Sequence, residues 1–370
     1  MTYSIRVIRE ESGFAALEND WDLLAKNAVD ANTFLTHQWL YTWWITYRPK
    51  ADLRVVVVEG EGRLRGIAPM MLTREGGLGR AVRRLRFVGD GTSETDHMNF
   101  IVDAADRESI LDALLSGIEG LPWQLAHFSQ MPEHSDNTQQ LLRRAESKGW
   151  LTDTWIVPCP RNMLPDNPDA LMKALPGRLR TAIRSARREL TGSHDVEFGM
   201  ITRQDELPAA LEALYRNHAS RWQAKGEQGV FVDPRKRDFY AALSEKLLKA
   251  GSLRFFFLRV DGKVVAQQFC FEHSGTVLLL QEGFDIDWAR NNVGNVLRVM
   301  VLEHLIGNGV RIYDFLAGMS RHKRHWSNAV ENDLHIRSFR RTLTGRLAHG
   351  FAQLKAQLQQ REPVVTDAAD

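Results

Sequence analysis

Three carboxylates, one glycine and one lysine pose the chemical question. Glu282 and Asp285 follow a strand-like run at 277–281, and Asp314 sits on the next strand between Tyr313 and Phe315. A carboxylate so placed can take a proton from an attacking nucleophile, and one on a buried strand needs a partner. The plainer reading makes Asp285 a turn cap and Glu282 a solvated acid. Gly294 opens an apolar helix at 294–306, within Asn291-Asn292-Val293-Gly294-Asn295-Val296. A glycine turn at a helix N-terminus offers bare amides and the positive end of the helix dipole to an anion; a simple turn is the alternative. Lys323 lies in Arg321-His322-Lys323-Arg324-His325-Trp326. There it could hold a phosphate, polarise a carbonyl, or sit in a solvated basic loop. His322 and His325 have no Cys or carboxylate set beside them, so no metal is expected.

Other residues could recognise a substrate. Residues 171–188 carry six basic side chains and no acid, and Arg180, Arg184 and Arg187 share one helical face. A sugar-nucleotide diphosphate, a lipid-linked diphosphate or a membrane surface would suit that face, and so would plain solvent. Trp39 and Trp43 are four apart; they could stack on a sugar or form part of a core stripe.

These residues need a scaffold. The chain has 370 residues, 44% apolar and 25% charged, which suits two globular domains. Two distant cysteines, Cys159 and Cys270, exclude a disulfide scaffold and fit a reducing compartment. A formal charge of +2 gives no global case for DNA binding. The first residues do not read as a signal peptide, and the aromatic stretch 34–47 is too short to span a bilayer. A cytoplasmic protein without a transmembrane segment is expected. Residues 53–68 and 253–266 resemble each other: apolar run, Glu61-Gly62 or Asp261-Gly262, basic residue, apolar run. Each acidic-Gly pair predicts a tight hairpin. Downstream, each half continues as strand, helix, strand. Five prolines at 158, 160, 165, 168 and 176 predict a connection between the halves.

Several strings in order resemble one family. They are Thr33-Phe34 with Trp39-Leu40 and Trp43-Trp44, Phe87-Val88-Gly89, Asp96-His97, Arg221-Trp222, Gly283-Phe284-Asp285, Val293-Gly294, Asp314-Phe315-Leu316, and His322-Lys323 with Trp326. Together they are similar to the CelD/BcsL-type acetyltransferases, a branch of the GNAT superfamily distantly related to Fem-type transferases. The resemblance implies an α/β (α+β) fold of two tandem GNAT-like lobes with mainly antiparallel sheets. The expected divisions are an acceptor-side lobe at 1–157, a Pro-rich connection and basic helix at 158–190, a donor-side lobe at 191–343, and a C-terminal helix with a frayed tail at 344–370.

The resemblance also implies a reaction. An acyl-CoA, such as acetyl-CoA, would serve as co-substrate, held by Arg290, Asn292, Val293, Gly294 and Asn295. The loop departs from the family pattern, with Asn291 at the basic position and Val296 at the third small one. The stretch 99–106 of the first half has no glycine, which places the donor in the second lobe. Lys323 matches the lysine of the Fem-type Phe-Lys string, and no tyrosine stands where many GNAT enzymes protonate the leaving thiolate. Lys323, Glu282, Asp285 and Asp314 are the candidate catalytic residues. Arg180, Arg184, Arg187, Arg221, Trp222 and Trp39 are the candidate acceptor-binding residues. The implied function is N- or O-acylation of a sugar, amino sugar or polysaccharide precursor. Its alternatives are a non-catalytic partner of an exopolysaccharide or cellulose synthase assembly, and a Fem-like aminoacyl transferase.

Overall fold

Glu61 and Gly62 have φ of 54° and 71°, and Asp261 and Gly262 have 47° and 78°. Positive φ at both central positions is the hairpin geometry that Gly accepts most readily. The computed structural model describes residues 2–75, 82–223 and 226–361; the expected frayed tail lies outside them. The first half runs β1 (Ser4–Ile8), α1 (Glu11–Ala15), α2 (Glu18–Asn27), α3 (His37–Tyr47), β2 (Ala51–Leu53), β3 (Val55–Gly60), β4 (Arg63–Ala68), β5 (Met70–Glu75), β6 (Val82–Phe87), β7 (Ile101–Val102), α4 (Arg107–Gly120), β8 (Leu125–Pro132), α5 (Asp136–Ser147) and β9 (Leu151–Met163). The second runs α6 (Pro168–Ala174), α7 (Gly177–Ser193), β10 (Val196–Met200), α8 (Leu207–Gln223), α9 (Pro234–Lys249), β11 (Leu253–Val260), β12 (Lys263–His273), β13 (Thr276–Phe284), α10 (Val293–Gly307), β14 (Ile312–Asp314), α11 (Arg321–Trp326), β15 (Ala329–Phe339) and α12 (Leu343–Arg361).

The two hairpins are equivalent in more than their turns. The β3–β4 register slips between Val58 and Glu59, and the β11–β12 register slips between Leu258 and Arg259. Each bulge falls at the same step before its turn, so the repeat read from the sequence is a repeat of the fold.

Among the described residues, eleven strands form one sheet in the order β10-β11-β12-β13-β14-β9-β15-β8-β6-β5-β2, and β1-β3-β4-β7 form a second. The order in the middle joins the lobes. β9, the last strand of the first half, lies between β14 and β15 of the second. β15 in turn lies between β9 and β8 of the first. Each lobe is completed by a strand of the other.

This corrects the reading of residues 158–176 as a connection. β9 runs through Pro158 and Pro160 to Met163. In an antiparallel strand a residue's N–H and C=O point the same way. Here the carbonyls of Pro160 and Pro158 accept from the N–H groups of Phe315 and Gly318 at 3.0 and 2.9 Å. Both prolines thus join the sheet through their carbonyls, and the N–H that each lacks would face β14 and not β15. The basic helix is also divided. Leu175 is extended at ψ 147°, as a residue before proline tends to be, and Pro176 separates α6 from α7.

The lobes share apolar packing. Trp39 is fully buried, 5.6 Å from the ring of Phe239 and 5.1 Å from that of Phe271, and its indole N–H donates to Thr95 Oγ1. It is a core residue, not a platform for a sugar.

At the strand exchange lies a buried polar cluster. His97 Nδ1 is 2.8 Å from Asp333 on β15, and its Nε2 is 3.3 Å from Asp314 on β14. Arg161 on β9 donates to Asp314 at 2.5 Å. Burial alone would lower the His97 pKa, but the two carboxylates outweigh it and hold it well above the usual range. Burial would raise Asp314, yet His97 and Arg161 pull it down to about 2. Asp96 beside them is half-buried, and its lost hydration pushes its pKa up to about 6.

A raised carboxyl pKa favours the folded state at low pH and costs stability as pH climbs through the folded value. Asp96→Asn, which keeps the shape and removes the charge, is therefore expected to stabilise by on the order of 1–3 kcal/mol at pH 8 and to change little at pH 4. Melting curves at the two pH values check this; an equal change at both would contradict it.

Candidate active site

β13 and β14 run parallel and pair over Thr276–Ile312, Val277–Tyr313 and Leu278–Asp314. Then they part. β13 continues to Phe284, while the chain beyond Asp314 turns towards β9. Glu282 therefore lies inside a strand and not after one, on the stretch of β13 that β14 no longer covers. The parting is stabilised locally. Asp314 Oδ1 accepts the Leu316 N–H at 2.7 Å, holding Leu316 at a positive φ of 59°. Lys323 Nζ donates to the carbonyls of Leu316 and Ala317 at 3.2 and 2.8 Å.

A cavity of about 440 Å³ fills the gap between β12, β13, the start of α10 and the start of α11. Glu282, Arg298, His322, Gln268 and Arg221 line it, as do Asn292, Val293, Gly294 and Asn295. Asn292 has a left-handed backbone, φ 55°, and its carbonyl accepts from Asn295 N and Val296 N. Its side chain accepts from Asn295 Nδ2 at 2.7 Å. A Cβ added at Gly294 would touch Phe284 at 3.4 Å, with no backbone in its way. The loop thus turns the first turn of α10 towards the cavity, and the start of a helix favours an anion.

Glu282 forms an ion pair with Arg298, with His322 Nε2 3.9 Å from its other oxygen. Burial pushes the Glu282 pKa up, but Arg298, His322 and Arg221 together bring it below the usual range. It is ionised at neutral pH and able to accept a proton. His322 is partly exposed; lost hydration, then Arg298, lowers it to about 4, so its imidazole is neutral there.

Apart from Arg221, which lines it, the other sequence candidates fall outside this cavity. Asp285 caps the turn after β13, accepting from Asp287 N and pairing with Lys263 at 2.6 Å. Asp314 is committed to His97 and Arg161. Lys323 does not line the cavity, and burial lowers its pKa. Arg290 is exposed at the turn before α10. On α7, Arg187 pairs with Glu303 at 2.9 Å, Arg180 donates to the Lys173 carbonyl, and Arg184 is exposed. Trp222 donates to His218 at 2.9 Å, and Arg221 lies over the Phe284 ring.

Two members of the site were not picked out as acid–base or charge partners from the sequence. Nothing local in the sequence marks Arg298 as a charge partner, and His322 stands there as a metal candidate and as part of the resembling His322-Lys323 string. The four-residue step from Gly294 to Arg298 on α10 was the available signal, since it puts both on one face.

Residues 177–354 match the family described as Acetyltransferase (GNAT) domain. No curated protein matches the chain significantly. Among solved structures the chain is similar to FemX, at 10% identity and a TM-score of 0.61 over 91% of this chain and 97% of that one. It is also similar to L-PGS from Bacillus licheniformis, at 10% identity and 0.53 over 89% and 95%. A third is the C-terminal domain of a putative lysylphosphatidylglycerol synthetase from Agrobacterium fabrum, at 14% identity and 0.51 over 93% and 97%. At such identities the likeness is one of fold, and it extends over both lobes.

Proposed function

We propose that this chain, an acyltransferase through its GNAT acetyltransferase domain at 177–354, moves the acyl group of an acyl-CoA thioester onto an amine or hydroxyl of a sugar, amino sugar or polysaccharide precursor. The observation that carries the donor assignment is the cavity itself. It joins the start of α10 at Asn292–Asn295 to an ionised Glu282 on the uncovered part of β13. In this reading the α10 amides bind the diphosphate of the donor. Glu282 takes the proton of the attacking amine or hydroxyl. His322, neutral and beside it, borders the same carboxylate. Arg290, exposed at the loop, reaches for an outer phosphate. Arg221 borders the cavity and, with Trp222 next to it in the chain, is assigned to the acceptor side. The saccharide acceptor rests on the sequence resemblance, as does a working association with polysaccharide-synthesis machinery.

The donor assignment is testable without the acceptor. Acetyl-CoA at a hundred times its Kd is expected to stabilise the protein by about 2.7 kcal/mol, seen as a raised melting temperature. A panel of amino sugars and sugar nucleotides, followed by thiol release, then tests the acceptor. No thermal shift with acetyl-CoA would rule out the donor; turnover only with non-saccharide amines would rule out the acceptor class.

A further inference from the structure

Arg298 is 1% exposed and sits one helical turn inside α10 from Gly294. Its Nη2 meets Glu282, while its Nε and Nη1 have no hydrogen-bond partner among the described residues. The rings of Phe315 and Trp326 lie 5.1 and 5.6 Å from its Cζ. An aromatic face steadies a cation but accepts no conventional hydrogen bond. Unused donors on a buried charge are costly to keep. Here they belong to a side chain that lines the cavity holding the proton acceptor. A guanidinium in that position suits an oxygen on which negative charge develops only during reaction.

We propose that Arg298 is a catalytic residue: it donates to the carbonyl oxygen of the acyl donor as negative charge gathers there, while Glu282 takes the acceptor's proton, so that the guanidinium exchanges one anionic partner for another. This rests on the acyl-CoA reading above. The acceptor's lone pair forms the new C–N or C–O bond, and the carbonyl π pair moves onto oxygen. The acceptor's proton passes to Glu282, which becomes neutral. Arg298 would then be a buried cation without a counterion, and the new oxyanion supplies one. When the carbonyl re-forms, the C–S bond breaks. The sulfur leaves with that electron pair and takes the proton from Glu282, and the Glu282–Arg298 pair closes again. Proton transfer and oxyanion formation are thereby coupled through one side chain.

The binding and spectroscopic measurements need only the donor; the rates are read with the acceptor that proves active in the panel above. Acetyl-CoA labelled with ¹³C at the carbonyl is bound to the full chain, its affinity is measured by titration calorimetry, and its C=O stretch by isotope-edited infrared spectroscopy. In the wild type the stretch is expected to move to lower frequency on binding. Arg298→Lys, which keeps a cation beside Glu282, is expected to bind acetyl-CoA within a few-fold of wild type. Its frequency shift should be smaller, and its thiol release at least a hundredfold slower, the scale of losing one oxyanion donor. Glu282→Gln frees the guanidinium, so its shift should exceed the wild type's even though turnover falls. If Arg298→Lys does not fold, the comparison of Glu282→Gln with wild type decides alone. The same stretch in every folded protein overturns the role of Arg298 and leaves the donor assignment standing. Failure of the wild type to bind acetyl-CoA overturns that assignment, and this role with it.

Discussion

Gly294→Trp is expected to abolish acetyl-CoA binding while leaving the melting temperature unchanged. Gly294 is on the first turn of α10 and lines the cavity, and among the described residues beyond its chain neighbours and its helix's own backbone only the Phe284 ring comes within 4 Å of its missing Cβ. An indole there is accommodated by the empty space and occupies it. The donor's diphosphate must come against bare backbone at that turn, so the loss should be at least a hundredfold, about 2.7 kcal/mol. Gly294→Ala is the control. Its methyl would meet Phe284 at 3.4 Å, an ordinary contact, and its φ is not in the left-handed region. Alanine should bind acetyl-CoA nearly as well as the wild type. Calorimetric titration of the two variants gives the answer. Unchanged affinity in the tryptophan variant would remove the loop from the site.

The second large effect concerns stability. His97→Ala should cost about 3–5 kcal/mol, because it leaves Asp314 and Asp333 as buried carboxylates short of a partner. The size of the loss should depend on pH with a defined sign. His97 has a raised folded pKa, so its contribution is complete below the unfolded value near 6.5 and fades as pH rises through the folded one. Asp314 has a depressed pKa, about 2. Its contribution is complete above the unfolded value near 3.8 and fades as pH falls towards 2. The gap between wild type and variant should therefore be widest between about pH 4 and 6.5 and narrow on both sides. Denaturant melts at pH 3, 5.5 and 9 measure it. A gap that is flat with pH would mean that His97 packs as a neutral ring.

Both predictions draw on residues that the sequence displayed unequally. Gly294 was visible because a glycine after a strand and before an apolar helix has few reasons to be there. The hairpins were visible because Glu61-Gly62 and Asp261-Gly262 must adopt positive φ, a local demand written in two adjacent letters. Glu282 was visible as an acid, but its place was read one step wrong. The apolar run stops at Gln281, while the backbone pairing continues to Phe284. Asp314 was seen to need a partner, yet nothing near it in sequence named His97, which is more than two hundred positions away. Lys323 looked like a free cation and is held by two carbonyls. Local turn chemistry is legible because neighbours decide it. Pairings between distant strands are not, and the prolines of β9 concealed one by imitating a linker.

The exchange of strands has a meaning for synthesis as well as for shape. A ribosome finishes β9 long before it makes β15, yet Leu151 pairs with Phe339 and Ala329 with Arg161. Until the second half emerges, the earlier half carries one edge of β8 and both edges of β9 without their partners, and a foreign strand could pair with either. So long a wait between partners also slows folding, since distant segments must find each other before either edge is satisfied. A gene divided between the halves would yield two polypeptides, each with a sheet missing an inner strand. Expressed together they should find each other as a stable pair, and expressed singly each should aggregate. For an engineer who wishes to transplant the donor cavity, the smallest transferable unit therefore includes β9 from the far side of the repeat.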